Sequence, residues 1–223
     1  MMKPPVVIVN FKVYQEAEGR RALGLSKACQ KVSQESGVPI AVCPPQLWAA
    51  PVSHVLEIPV YAQSVDPRAP GSGTGYVTPS MLHSSDIKGT LVNHSEHRMP
   101  REDIGRAVSM CRDLKLETCV CAKDAAESED LAGFHPDMIA VEPPDLIGGD
   151  VSVTTADPGT VSGTVDLVHG IDRDIRVYCG AGVKTGEDVR AALDLGAYGV
   201  LLASGVVKAK DPEAALRDLI SKI

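Results

Sequence analysis

The stretch RVYCGAGVKTGEDVRAALDLGAYGVLLASG (176–205) decides the fold, because it holds one full repeat of the pattern that builds the chain. It opens on an apolar run at 176–179, turns through Gly180-Ala181-Gly182 and enters a helical stretch at 187–196. A second apolar run at 199–202 follows, ending in Ala203-Ser204-Gly205. Neither run alternates with polar residues, which marks strands buried on both faces. Between them, Thr185-Gly-Glu-Asp188 reads as a capping box at a helix start. Two such strands joined by a helix form a right-handed parallel crossover.

The same unit recurs along the chain. Strands are expected at 6–10, 40–43, 60–62, 90–93, 118–121, 138–141, 176–179 and 199–202. Helices are expected at roughly 15–36, 45–57, 78–85, 101–115, 123–133, 157–171, 187–196 and 211–222. Pro100 reads as the first helical position, with Glu102 and Asp103 in the first turn, and Asp211-Pro212 as an N-cap with Pro at N1. Eight strand–helix units point to an α/β fold closed as a (β/α)8 barrel, with an open doubly wound sheet as the competing architecture. No composition break or linker divides the chain, so residues 1–223 are expected to form a single barrel domain.

Composition agrees with a full core and excludes some partners. The chain has 223 residues, 44% of them hydrophobic, but only two Phe and one Trp, so Val, Leu, Ile and Ala must fill the interior. A net charge of -7 argues against nucleic acid or an anionic membrane as partner. No run approaches the roughly 18 apolar residues of a membrane span, and the N-terminal run is too short for a signal segment. The six cysteines (29, 43, 111, 119, 121 and 179) are scattered. Cys119-Val120-Cys121 has no second chelating pair, so buried thiols in a reducing cytoplasm are expected rather than a metal site.

The chemistry-bearing residues fall where strands end. Asn10-Phe11-Lys12 follows the first, Asn93-His94-Ser95-Glu96 the fourth and Glu142-Pro143-Pro144 the sixth. In parallel α/β folds that rim carries active sites, and an amine, an imidazole and a carboxylate there form an acid/base set. His94 is expected to begin a turn directly after the fourth strand, with its ring held at a helix N-terminus, where positive partial charge would keep it neutral. The other histidines are expected to be structural. Pro143 stiffens the backbone beside Glu142, and Gly148-Gly149 loosens it further on, which suits a lid that closes over substrate and makes the carboxylate more basic. Asn10 and Lys12 are expected on one face of an extended segment, with a salt bridge from Lys12 to Glu96 as the plainer alternative.

The two glycine-bearing loops after the last two strands suit an anion, since small residues let backbone N–H groups approach it. Loops at those two strands are the usual phosphate position in barrels. Ile147-Gly148-Gly149 would add an N–H from the lid. Gly71-Ser72-Gly73-Thr74-Gly75 lacks the ending of a nucleotide-binding loop and reads as an excursion toward another subunit.

VNFK (9–12), GSGTGYVTPSML (71–82), NHSEHR (93–98), VEPPDLIGG (141–149), YCGAGV (178–183) and GVLLASG (199–205) together resemble the triosephosphate isomerase family, in its order and spacing. The likeness covers nearly the whole chain and is nearest to the compact archaeal form. It implies a TIM barrel that interconverts dihydroxyacetone phosphate and D-glyceraldehyde 3-phosphate in glycolysis and gluconeogenesis, without metal or cofactor. It implies Glu142 as base, His94 as electrophile and Lys12 with Asn10 as an electrostatic pair. Asn10, Phe11, Lys12, Ile147, Gly148, Gly182, Ala203 and Ser204 would contact substrate or its phosphate. It also implies a cytoplasmic homo-oligomer, a dimer or more favourably a tetramer, with Thr74 at the subunit interface. The chain departs from the bacterial and eukaryotic pattern in Pro144-Asp145-Leu146, in Gly180-Ala181-Gly182 for Gly-Gly-Ser, and in shortened fifth and sixth helices. Two other functions compete with this reading: an aldolase-type barrel using Lys12 or Lys184 as a Schiff base, and a phosphate-metabolite sensor.

Overall fold

A computed structural model describes residues 6–143, 154 and 157–223. Its strands are β1 (Val7–Asn10), β2 (Ile40–Cys43), β3 (Tyr61–Ala62), β4 (Gly89–Val92), β5 (Glu117–Ala122), β6 (Met138–Val141), β7 (Arg176–Cys179) and β8 (Gly199–Leu202). They form one parallel sheet in the order β2-β1-β8-β7-β6-β5-β4-β3. A parallel bridge between Val42 and Val60 joins the two ends, with the Val42 N–H 3.1 Å from Pro59 O. The sheet therefore closes on itself as a (β/α)8 barrel, and the open-sheet alternative falls.

The helices among the described residues are α1 (Arg20–Ser36), α2 (Gln46–Ser53), α3 (Pro79–Ser84), α4 (Arg101–Asp113), α5 (Ala125–Ala132), α6 (Pro158–Ile171), α7 (Gly186–Asp194), α8 (Ser204–Val207) and α9 (Pro212–Ile220). Three expectations need adjustment. The helix expected over 15–36 splits into a 3-10 turn, Gln15–Ala17, and α1, because Gly19 takes φ +58° between them. Pro100 is the N-cap of α4 rather than its first helical residue, and has extended ψ of 142°. The residues between β8 and α9 also form the four-residue α8. The capping box at Thr185 and Asp188 and the Asp211 cap are present as expected.

Strand parity explains the core. Alternate strand residues point into the barrel: Ile8, Ala41, Cys43, Tyr61, Leu91, Cys119, Cys121, Met138, Ala140, Tyr178 and Leu201 form one buried cluster. The intervening residues, such as Val7, Val9, Val42, Val120 and Ile139, pack outward against the helices in two further clusters. All six cysteines are buried and unpaired with one another, three of them inside the barrel. Continuing the inward parity past each strand's C-terminal end places Asn10 above Ile8, Glu142 above Ala140 and Gly180 above Tyr178. The rim thus inherits its side-chain directions from the barrel interior. At the opposite mouth the Tyr61 hydroxyl donates to the Glu117 carboxylate, and Arg176 lies 3.9 Å from the same group.

Candidate active site

Glu142 is locked in place by the sheet. Its N–H donates to Ala122 O at 2.8 Å, and the preceding Val141 O accepts from Gly180 N–H at 3.0 Å, so the ladder continues one residue beyond β6. The residue is 4% exposed, and its Oε2 is buried with no hydrogen-bond partner among the described residues. Burial raises its pKa from 4.5 to about 7, partly opposed by a hydrogen bond from Cys121 and the charge of Lys12. Such a carboxylate is basic, and one of its oxygens has no hydrogen bond among the described residues to weaken it as a base.

The turn after β4 is built by Asn93. This buried residue takes φ +61°, a left-handed conformation that Asn tolerates better than most residues. Its Nδ2 donates to Cys121 O at 2.9 Å, and its Oδ1 accepts from Met99 N–H at 3.0 Å. His94, 6% exposed, is thereby aimed at Glu142, with Nε2 3.6 Å from Glu142 Oε1. Glu96 N–H donates to His94 Nδ1 at 3.2 Å, so the neutral ring carries its proton on Nε2, facing the carboxylate and the cavity. The pKa of His94 falls from 6.5 to about 4, first through burial and then through the charge of Lys12. The neutral ring was expected, but its cause is different: His94 stands in a short turn, not at a helix N-terminus.

Lys12 and Asn10 reach the same cavity by a route the sequence did not show. β1 ends at Asn10, and Lys12 takes φ +48°, so the two do not lie along one extended face. Instead the chain turns back, and Lys12 N–H donates to Asn10 Oδ1 at 2.9 Å. Lys12 Nζ pairs with Glu96 Oε1 at 2.8 Å, the salt bridge foreseen as the plainer alternative. That pair does not remove Lys12 from the site. Phe11 between them does differ from expectation: its side chain is fully buried in the layer between barrel and helices, not in the cavity lining.

Asn10, Lys12, His94, Glu142, Gly180, Gly182, Ala203 and Ser204 line one narrow cavity of about 40 Å³ at the C-terminal mouth. Tyr14, Val183, Lys184 and Gly205 complete much of its wall. The glycine loops after β7 and β8 thus face the acid/base residues across one shared space. The loop after β7 is held from behind, since Asp188 Oδ2 accepts from Lys184 N–H at 3.0 Å and Thr185 N–H at 2.9 Å. Ile147 and Gly148 lie outside the described residues, as does the rest of the expected lid.

Gly180 has a role that sequence reasoning missed. A Cβ there would stand 2.4 Å from Glu142 Cγ, so the carboxylate occupies space that only glycine leaves open. Its φ is outside the left-handed region, so the requirement is for room rather than for a special conformation. Its sequence signal, a glycine in the loop after the seventh strand, carries no hint of the Glu142 side chain beside it. Among the described residues, no cluster of His, Cys, Asp and Glu is arranged to hold a metal ion.

Known proteins share this pattern along the whole chain. A family model described as triosephosphate isomerase matches residues 5–223. A protein of Methanoculleus marisnigri named triosephosphate isomerase is 48% identical over 220 residues, covering 99% of each chain. One of the same name from Methanocaldococcus jannaschii is 48% identical over 218 residues, covering 98% of this chain and all of its own. Another, from Methanosarcina acetivorans, is 42% identical over 221 residues, covering 98% and 99%. With a closed eight-stranded barrel beneath it and likeness from one end to the other, this chain belongs to the triosephosphate isomerase family.

Proposed function

We propose that this protein interconverts dihydroxyacetone phosphate and D-glyceraldehyde 3-phosphate by proton transfer through an enediolate, the reaction named by its family. The observation that carries the reading is the pair His94 and Glu142, 3.6 Å apart, buried, and sharing a cavity with Lys12 and Asn10. Glu142 takes the proton from the carbon beside the carbonyl, and the electron pair moves onto the carbonyl oxygen. The N–H of neutral His94 and the Lys12 ammonium stabilise that oxygen as charge develops, with Asn10 orienting it. His94 moves a proton between the two substrate oxygens, and protonated Glu142 returns its proton to the neighbouring carbon. Atoms and charge balance without a metal or cofactor.

The phosphate would rest against backbone N–H groups at Gly182, Ala203 and Ser204, within reach of Lys12; all four residues line the cavity. Ile147 and Gly148 would cover it, sealing the enediolate from water. The test is a coupled assay with D-glyceraldehyde 3-phosphate and no added metal. Turnover is expected, and borohydride with substrate should leave Lys12 and Lys184 unmodified. No turnover, or a trapped lysine, would contradict the reading.

The same reading includes a cytoplasmic homo-oligomer, a dimer or, more favourably, a tetramer. Three features support it. Residues 71–76, including Thr74, are all exposed on one loop. Val13 is 84% and Leu47 90% exposed, two large apolar side chains that a second copy would cover. A hollow of about 320 Å³ beside the active site, lined by Lys12, Val13, Gln46, Gln63, Glu96 and His97 among others, would receive Thr74 of a second copy. Sedimentation of the wild type against Thr74→Arg tests it: assembled wild type and a smaller variant are expected, and a monomeric wild type would refute it. Six unpaired thiols support the reducing compartment, and no helix among the described residues is long and apolar enough to cross a membrane.

A further inference from the structure

The left-handed backbone at Lys12 is costly for a residue with a side chain, so neighbouring groups must hold it. Gln63, the residue after β3, is placed to do so. Its Nε2 lies 2.9 Å from Lys12 O, 3.0 Å from Cys43 O and 3.4 Å from Asn10 Oδ1. All three are acceptors, and two belong to the segment that carries Asn10 and Lys12. Gln63 is itself clamped by Gln46, the first residue of α2. Gln46 Oε1 accepts from Gln63 N–H and its Nε2 donates to Ser64 O, each at 3.3 Å. Two glutamines in series therefore connect a helix to the end of β1.

We propose that Gln63 is a positioning residue for the isomerisation, acting through Lys12 and Asn10. Its amide fixes the Lys12 carbonyl, which sets where the ammonium can reach. The Lys12 segment it holds donates its own N–H to Asn10 Oδ1 at 2.9 Å, and Gln63 Nε2 lies 3.4 Å from the same oxygen, so that oxygen faces the protein. The Nδ2 donor of Asn10 is then the end left for a substrate oxygen in the cavity. The inference rests on the functional reading above, in which Lys12 and Asn10 stabilise charge on the substrate. A purely structural Gln63, tying β1 to β2 and β3, would affect folding but not the turnover of the folded enzyme.

A double-mutant cycle separates these roles. Wild type, Gln63→Ala, Lys12→Ala and the double variant are assayed with D-glyceraldehyde 3-phosphate, and the Tm of each is measured. Gln63→Ala is expected to lower kcat/KM roughly 30- to 100-fold, the scale of a small misplacement of a catalytic group. In the Lys12→Ala background the same change should cost less than about three-fold, because the group it positions is gone. Equal losses in both backgrounds, or activity within about two-fold of wild type, would overturn the proposal. If Gln63→Ala does not fold, Gln46→Ala takes its place, keeping the Gln63 side-chain amide but releasing the Gln63 and Ser64 backbone that aims it. A drop in kcat/KM that again vanishes without Lys12 supports the proposal, and an unchanged value overturns it. Absence of turnover in the unmodified protein would overturn the functional reading, and this inference with it. Turnover in the unmodified protein that Gln63→Ala retains would overturn this inference alone.

Discussion

Two neighbouring groups in this cavity have pKa values moved in opposite directions by the same cause. Burial lifts Glu142 to about 7 and lowers His94 to about 4. At neutral pH the imidazole is therefore an uncharged donor, while the carboxylate is divided between base and acid forms. After correction for the substrate phosphate, which titrates at about 6, kcat/KM should fall tenfold per unit below about pH 7 and show no inflection from His94 until much lower pH. A plateau that persists to about pH 5 would contradict this assignment of the base. Gly180 gives a second test. Gly180→Ala puts a methyl group where the Glu142 side chain now lies, and should lower kcat about 100-fold with a much smaller change in KM. At this scale the sequence revealed residue types at strand ends, and that pointed to Asn10, Lys12, His94 and Glu142, which line one cavity. It could not reveal Gly180 or Gln63, since their importance lies in contacts between strands far apart in the chain.

Among the elements, the join between β7 and α7 does two things. The Asp188 carboxylate completes the helix cap with Thr185 and also holds the Lys184 and Thr185 N–H groups of the loop that lines the cavity. Asp188→Ala should therefore cost about 1–2 kcal/mol of stability, read as a lower Tm. It should also raise KM roughly tenfold while changing kcat less, because it loosens the anion-facing loop rather than the base. A lower Tm with unchanged KM would mean that the loop is held by other means. Element reading from sequence worked where local signals are strong. Unbroken apolar runs placed all eight strands to within about two residues, and Thr185 and Asp211 marked helix starts. It failed where one residue's backbone broke the pattern: Gly19 interrupts the first helix, and Lys12 turns the chain off the extended path.

For the whole molecule, holding a carboxylate in a dry cavity opposes folding. The folded-state pKa of Glu142 lies above its ordinary 4.5, so the folded protein binds the extra proton between about 4.5 and 7. This contribution to stability therefore declines as pH rises through that window and is fully unfavourable above it. Glu142→Gln removes the effect and should stabilise the protein by on the order of 3 kcal/mol at about pH 8, the gain shrinking toward about pH 5. A Tm advantage that is the same at both pH values would refute this account. The barrel itself was legible because closure follows from eight repeated units, and the inward parity of each strand then decides which side chains reach the rim. The proposed isomerisation requires Glu142 to move a carbon-bound proton, and conversion of D-glyceraldehyde 3-phosphate in deuterium oxide, followed by NMR, tests that most directly. The wild type should give dihydroxyacetone phosphate carrying solvent deuterium, and Glu142→Gln should lose nearly all turnover while still binding a phosphate ligand. Product free of deuterium, or near-normal turnover by the variant, would contradict it.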